Sequence, residues 1–175
     1  MNTLTTDLCT LEPQVEAHAA EMFPVLCDPA IYEFEGEPPP SLERLAAGYR
    51  RKETRESPDG TEKWFNWVVR LDSGELAGYV QATVVANGRC YFGYEFASRF
   101  WRHGIATSAL QAMFAELARH YGVRELIAVL KVANFRSTGL LRKLGFVEVP
   151  AQEQAQFEPE EGETVMLASC RAHGV

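Results

Sequence analysis

The sequence lacks any run that approaches the roughly 20 consecutive apolar residues of a membrane-spanning helix. Its first ten residues also lack the basic segment and apolar core of a secretory signal. Both absences predict a cytoplasmic protein without a membrane partner. Cysteine is scarce, with four in 175 residues and no CxxC pair. Because zinc sites and disulfide frameworks need clustered or paired cysteines, we expect reduced thiols and no metal.

The sequence has fewer basic than acidic residues, with 17 lysines and arginines and 24 aspartates and glutamates, which gives a net charge of −7. Nucleic-acid binding depends on cationic contacts with phosphate, so no such partner is expected. Neither an ATP P-loop motif nor a dinucleotide-binding glycine motif is present. The 46% hydrophobic content suits one globular domain spanning residues 1–175.

Periodicity and turn residues predict a mixed α/β (α+β) fold with about four helices and a mostly antiparallel sheet of seven strands. In chain order the predicted elements are an edge strand at 3–11, helices at 12–28 and from 41, three meander strands within 64–97, a helix at 104–120, a buried strand at 125–132, a short helix at 134–145 and two final strands. Pro13 is expected in the first turn of the first helix. The strand–helix–strand connection through 104–120 should create one parallel strand pair.

The segment FWRHGIATSAL, residues 100–110, places a glycine and two basic residues at the start of the long predicted helix. The first N–H groups of a helix have no intrahelical partner and attract anions. Gly104 has no Cβ to block a phosphate, and the amides around it could converge on one anion. From this stretch alone, an anion site and an ordinary loop glycine remain equally open.

A second segment, NFRSTGLLRKLGF, begins where the buried strand ends. Asn134 follows that strand, and Ser137 lies three residues later on the first helical turn. Both segments therefore lie at the carboxyl ends of adjacent parallel strands, which could diverge there and leave a cleft. The alternative for Ser137 is a serine that only caps the helix.

Together the two segments resemble the GNAT acetyltransferase superfamily, and specifically its RimJ/RimL-like branch. The superfamily's pyrophosphate loop, [QR]-x-x-G-x-[GA], corresponds to residues 101–106, with Trp101 in the place of Gln or Arg. The branch's second pattern, N-x-x-S-x-x-[LV]-[LM]-x-K-[LM]-G-F, is matched from Asn134 to Phe146. The match is specific over residues 76–146, looser over the N-terminal helices and weak after Phe146.

The resemblance implies an N-acetyltransferase that uses acetyl-CoA as cosubstrate and acts on a primary amine, either a protein or peptide N-terminus or a small amine. It also implies that the parallel strand pair splays apart. The loop expected to hold the CoA pyrophosphate comprises Trp101, Arg102, His103, Gly104, Ile105, Ala106 and Thr107. The pantetheine arm would pair with the backbone at Phe96 and Ala97 and pass Asn134 and Ser137.

Many superfamily members protonate the departing thiolate with a tyrosine, but the matching residue here is Leu141. The resemblance makes Ser137 the replacement, while Asn134 would hold the pantetheine arm or orient a water. The missing tyrosine leaves a catalytically silent CoA-binding sensor or structural domain as an alternative. Glu95, two residues before Ala97, is the candidate general base, or else it pairs with an arginine at the sheet edge.

The acceptor side is predicted from polar residues among apolar ones. Asn66 and Gln81 lie in otherwise apolar central strands, so they either line the acceptor pocket or bond to each other or to solvent. Tyr32 and Phe34, after the first helix, would roof that pocket. An exposed strand edge could also make a homodimer.

Overall fold

The structure is a computed structural model that describes residues 1–34 and 36–170. Its eight strands are β1 (Leu4–Thr5), β2 (Thr10–Pro13), β3 (Lys63–Arg70), β4 (Leu76–Val85), β5 (Arg89–Phe96), β6 (Glu125–Lys131), β7 (Val147–Glu148) and β8 (Glu163–Ser169). The α-helices are α1 (Ala19–Leu26), α2 (Leu42–Lys52), α3 (Ile105–Tyr121) and α4 (Phe135–Lys143). Short 3₁₀ helices lie at Glu16–His18, Pro29–Tyr32, Ala86–Gly88, Ser98–Phe100 and Ala151–Phe157. Within the described ranges no helix is long and apolar enough to cross a membrane.

The strands form one sheet in the order β1-β2-β3-β4-β5-β6-β8-β7. Only β5 and β6 pair in parallel, and the other neighbours are antiparallel. The mixed, mostly antiparallel α/β fold is therefore confirmed, but the count of seven strands is wrong. The segment predicted as one edge strand turns back on itself, because Thr6 Oγ1 accepts from the amides of Leu8 and Cys9 and splits it into β1 and β2.

Pro13 is not in a helix but ends β2, opposite Trp67 of β3. The outer neighbour β1 pairs only with Thr10 and Leu11, so Pro13 faces no strand on that side. A residue without an N–H is tolerated at such an unpaired position. The first helix consequently begins later than predicted, with a 3₁₀ turn followed by α1.

Other predictions made from local sequence signals are confirmed. Ser41 caps α2 by accepting a hydrogen bond from the amide of Arg44 at 3.3 Å. Gly122 ends α3 with a positive φ of 66°, a conformation that costs glycine little. The three meander strands pair as antiparallel neighbours from Lys63 to Phe96, with one register shift between Val69 and Arg70, as the turn residues between them predict.

Helices cover both faces of the central strands. The face that carries Trp67, Val80 and Phe96 packs against α3 and α4 in the largest hydrophobic cluster. The opposite face carries Val68 and Tyr79 and packs against α1 and α2. Since side chains alternate along a strand, each central strand contributes to both clusters. The polar residues Asn66, Gln81 and Glu95 belong to the second face, beneath α1 and α2.

Candidate active site

A cleft opens where the two parallel strands separate. The pairing of β5 with β6 covers only Arg89–Tyr91 and Glu125–Ile127, although both strands continue beyond it. The five remaining residues of β5, Phe92 to Phe96, extend about 15 Å along an edge that β6 does not cover. The helices α3 and α4 follow these strands, so both helix N-termini lie at the open end of the cleft.

The start of α3 has the features of an anion-binding site. Arg102 and Gly104 have positive φ values of 65° and 83°, and Gly104 is the N-cap residue without any side-chain cap. The first amides of α3 therefore have no capping acceptor among the described residues, and such amides bind phosphate groups. The Arg102 and His103 side chains are exposed. The buried Ile105 side chain packs in the core and leaves only its backbone facing the loop.

Asn134, rather than Ser137, caps α4. Its Oδ1 atom accepts from the Ser137 amide at 3.0 Å, and its carbonyl accepts from Thr138 Oγ1 at 3.0 Å. The alternative in which Ser137 serves as the helix cap is therefore wrong. The Ser137 side chain is half-buried, and its hydroxyl has no hydrogen-bond partner in the part of the chain described. That hydroxyl remains available to a ligand in the cleft.

Trp101 and Arg136 join the two sides of the cleft mouth. The Trp101 indole donates to the Phe96 carbonyl at 2.7 Å, and the Arg136 guanidinium lies 4.7 Å from the Trp101 ring centroid. Arg136 also stacks 5.3 Å from the Phe34 ring and pairs with Glu33 at 2.7 Å. A cation over an aromatic face is favourable, and here it ties the loop after α1 to both helix starts.

The predicted backbone partners of a pantetheine arm differ in their surroundings. The Ala97 amide donates to the Ala77 carbonyl at 3.0 Å, and the Ala97 carbonyl accepts from the Phe100 amide at 2.9 Å. Successive residues of a strand point their backbone groups to opposite edges. Phe96 therefore directs its amide and carbonyl away from β4, toward the cleft, where the carbonyl accepts from the Trp101 indole, while the Ala97 amide points to β4 and its carbonyl to Phe100.

Glu95 lies among tyrosines on the face that α1 and α2 cover. Tyr79 is directly opposite in register and hydrogen-bonds to the Glu95 carboxylate, and the Tyr32 hydroxyl lies 3.5 Å from Glu95 Oε2. The Tyr32 hydroxyl makes a shorter hydrogen bond, of 2.9 Å, to the Leu26 carbonyl. Burial, with the Glu95 charge adding to it, raises the pKa of both phenols. At neutral pH these hydroxyls therefore keep their protons, and they face the Glu95 carboxyl group.

The predicted acceptor residues Asn66 and Gln81 are cross-strand neighbours, and Gln81 in turn lies opposite Gly93. Asn66 is buried, so the alternative of a solvent-facing side chain does not hold for it. Gln81 accepts a hydrogen bond from Lys52 Nζ at 3.1 Å. Lys52, the last residue of α2, thus reaches the same face of the sheet as Glu95.

Tyr49 of α2 completes this group of side chains. It is only 4% exposed, and its hydroxyl has no hydrogen-bond partner within residues 1–34 and 36–170. Burial raises its pKa, with the Glu95 charge adding to the effect, and Tyr49 packs in the same cluster as Tyr79, which lies opposite Glu95. A buried hydroxyl without a partner is costly, so it points to a ligand group that bonds to it.

We expect Tyr49→Phe to stabilise the ligand-free protein or leave it unchanged, with a gain of up to about 1 kcal/mol, because it removes an unsatisfied buried hydroxyl. The same change should raise the KM for the acceptor. Urea unfolding and steady-state kinetics measure the two effects. A clear loss of stability would mean that the hydroxyl has a partner in the folded chain, and its assignment to a ligand would fall.

Sequence reasoning missed four residues of this region: Tyr49, Lys52, Tyr79 and Arg136. Tyr49 looked like part of the apolar stripe of α2, and Lys52 like one of three basic residues in an exposed last turn. Tyr79 shares a strand face with Gln81, so the alternation of β4 was the available signal. No sequence pattern indicates that Arg136 belongs to the site, since its partners come from two distant segments.

The described residues contain no group of three or more His, Cys, Asp or Glu side chains that could hold a metal ion. A hydroxyl, a carboxylate and a set of backbone amides are nevertheless sufficient for acyl transfer. They supply an anion cradle, a proton acceptor and a donor for a leaving group.

Comparisons with known proteins agree with this arrangement. A family model described as an acetyltransferase (GNAT) domain matches residues 9–147. No curated protein sequence matches the chain.

Among solved structures, the ribosomal L7/L12 alpha-N-protein acetyltransferase RimL in complex with coenzyme A is similar over 96% of this chain and 98% of its own, with a TM-score of 0.80 and 18% identity. A ribosomal-protein-S5-alanine acetyltransferase from Vibrio fischeri is similar over 97% of both chains, with a TM-score of 0.79 and 13% identity. The microcin C7 self-immunity acetyltransferase MccE, in complex with acetyl-CoA and AMP, covers 94% of this chain and 93% of its own, with a TM-score of 0.78 and 17% identity. At these identities the likeness concerns the fold.

Proposed function

The chain belongs to the GNAT acetyltransferase family of acetyl-CoA-dependent enzymes, and we propose that it transfers an acetyl group directly from acetyl-CoA to a primary amine. The acceptor is the N-terminus of a protein or peptide, or the amine of a small molecule. The observation that carries the proposal is the cleft between β5 and β6, with an uncapped helix start on one side, Ser137 on the other and Glu95 near the end of β5. We further propose that residues 1–175 act as one domain, because one sheet runs through all eight described strands.

The loop before α3 would hold the CoA pyrophosphate through backbone amides. Support comes from the positive φ values of Arg102 and Gly104 and from the uncapped first turn of α3. The pantetheine arm would run along the open edge of β5 and pair with Phe96, in the manner of an added strand. Asn134, already fixed by the Ser137 amide, would present its side-chain NH₂ group to the same arm.

The reaction needs two protons to leave the acceptor nitrogen. Glu95 takes the first, directly or through a water, and produces the neutral amine. The nitrogen lone pair attacks the thioester carbonyl, so a C–N bond forms and the C–S bond breaks when the tetrahedral intermediate collapses. The second proton leaves the nitrogen at that step and reaches the sulfur through the Ser137 hydroxyl, which donates its own proton and receives this one. The products are the acetylated amine, free CoA and the first proton, which Glu95 releases to solvent.

The direct test is the release of free CoA thiol, followed across a panel of primary amines with acetyl-CoA. Turnover on at least one class of amine supports an acetyltransferase. Tight CoA binding with no turnover on any amine supports the alternative of a silent CoA-binding sensor or structural domain. Leu141 is the observation in favour of that alternative, since it is buried in the core and offers no proton at the position where many relatives have a tyrosine.

Ser137→Ala should lower kcat about tenfold and leave the Kd for acetyl-CoA within about threefold, because the hydroxyl acts on the leaving thiolate. Since Asn134 supplies the cap of α4, the change should not lower the melting temperature. Thr138→Ser is the matched control, as it keeps the hydroxyl that bonds to the Asn134 carbonyl. Full turnover of Ser137→Ala at saturating substrate would remove Ser137 from the mechanism.

A further inference from the structure

We propose that the acceptor is a small zwitterion, an α-amino acid or a molecule built like one, whose amine binds at Glu95 and whose carboxylate binds Lys52 and Tyr49. This inference rests on the proposed acetyl transfer and narrows its substrate class. It follows from two donors, the Lys52 ammonium and the Tyr49 hydroxyl, that share one sheet face with the Glu95 carboxylate.

Lys52 differs from the two basic residues that precede it on α2. Arg50 pairs with Glu16 outside the sheet, and the Arg51 side chain is exposed. Lys52 instead turns inward, is half-buried, and donates to Gln81 Oε1 at 3.1 Å. An ammonium group has three N–H donors, and two of those of Lys52 have no partner in the described part of the chain. The unused donors of this half-buried cation can take the carboxylate of a ligand.

The spacing of the two charged groups suits one small molecule. Gln81 lies opposite Gly93, and Glu95 is two residues further along the same strand and face. Residues two apart on a strand are separated by about 7 Å. Gly93 has no side chain and the Gln81 side chain lies over it, so the Lys52 ammonium that bonds to Gln81 lies on the same sheet face as Glu95. An amine and a carboxylate that are a few bonds apart can therefore reach both groups together.

Tyr49 supplies the second donor for the carboxylate. Its hydroxyl is buried and unpartnered within the described residues, and Tyr49 packs in the same cluster as Tyr79, the cross-strand neighbour of Glu95. A phenol that keeps its proton and an ammonium are both donors, whereas Glu95 is an acceptor. This sheet face thus carries two donors for a carboxylate, Lys52 and Tyr49, and an acceptor for an amine, Glu95, which together complement a zwitterion.

The same charges argue against other amines. A polyamine or another multiply charged cation would bring a second positive charge toward Lys52, which is unfavourable in a half-buried site. A peptide N-terminus offers only a neutral carbonyl where the zwitterion has a carboxylate. Since hydrogen bonds to charged groups are stronger than neutral ones, the free acid should be preferred over the peptide-like amide.

The test uses the full-length chain and matched acceptors: a set of L-amino acids, each with its α-amide and its decarboxylated amine, in the CoA-release assay. We expect at least one amino acid to exceed both of its matched derivatives by tenfold or more in kcat/KM. Equal or greater activity on the amides would overturn the inference and leave acetyl transfer standing. Absence of turnover on every amine would overturn the proposed function itself, so the two failures are distinguishable.

Lys52→Met tests the assigned residue, because it keeps the length of the side chain and removes the charge. We expect kcat/KM for the preferred amino acid to fall about 30-fold or more, and that for its amide to change less than threefold. Arg51→Met, next to it and exposed, should change neither, and Lys52→Arg should keep much of the preference. An equal loss on acid and amide would show that Lys52 only supports the fold, and the inference would fail.

Discussion

Gly104→Val is expected to weaken acetyl-CoA binding by about 30-fold or more, while His103→Ala changes it less than threefold. Gly104 has a φ of 83°, a region that costs a residue with a Cβ about 1–2 kcal/mol and a β-branched residue more. A built Cβ would also lie 3.4 Å from Leu8 Cδ1, so the side chain would enter a space already bounded by the β1–β2 turn. If the loop before α3 relaxes away from this conformation, its amides no longer converge on one point. CoA binding must then restore their arrangement. The exposed His103 side chain contributes no comparable constraint.

Isothermal titration with CoA measures this prediction directly. Thermal unfolding in the absence of ligand separates a damaged loop from a damaged fold, and Gly104→Ala offers a milder variant if valine prevents folding. The alanine variant should show a smaller loss in the same direction, since it carries the positive-φ cost without branching. A larger effect of His103→Ala than of Gly104→Val would mean that side chains, rather than backbone amides, hold the anion.

Glu95→Gln is expected to lower kcat about 100-fold at pH 7, the lower end of what a general base contributes. Glutamine keeps the size of the side chain and one acceptor oxygen, but it accepts no proton. Without this acceptor, only acceptor molecules that have already lost their proton to solvent react. The variant's rate should therefore rise more steeply with pH than that of the wild type, and the difference between them should narrow in alkaline solution.

The pH–rate profile and the Kd for CoA together isolate the effect of Glu95. Affinity for CoA should remain within about threefold, because Glu95 lies on the face covered by α1 and α2, away from the helix starts. Glu125→Gln is the matched control, since it replaces a glutamate at the other end of the cleft that pairs with Arg89 at 2.9 Å. An unchanged pH profile in Glu95→Gln would remove Glu95 from the mechanism.

Much of the fold was predictable because its signals are local. A serine before a helix, a glycine after one and turn residues between aromatic strands each act over a few residues, and Ser41, Gly122 and the meander are confirmed. The errors also have local causes. Thr6 closes a turn that alternation alone does not reveal, and Pro13 occupies a strand end that pairs on one side only. Both features depend on which strand packs alongside, and a short sequence pattern does not contain that information.

The sequence by itself determined the two segments that frame the cleft, because each is a continuous run whose glycine, asparagine and serine sit at fixed distances from a helix start. Only the tertiary structure decided what faces Glu95. Tyr79 lies opposite it through strand register, while the packing of α2 brings Tyr49 and Lys52 to the same face of the sheet. Register and helix rotation are set by the packing of the whole hydrophobic face, so they follow from many distant contacts together. The segments that frame the proposed cofactor cleft can thus be recognised along the chain, whereas the residues of the proposed acceptor site come together only when the helices pack on the sheet.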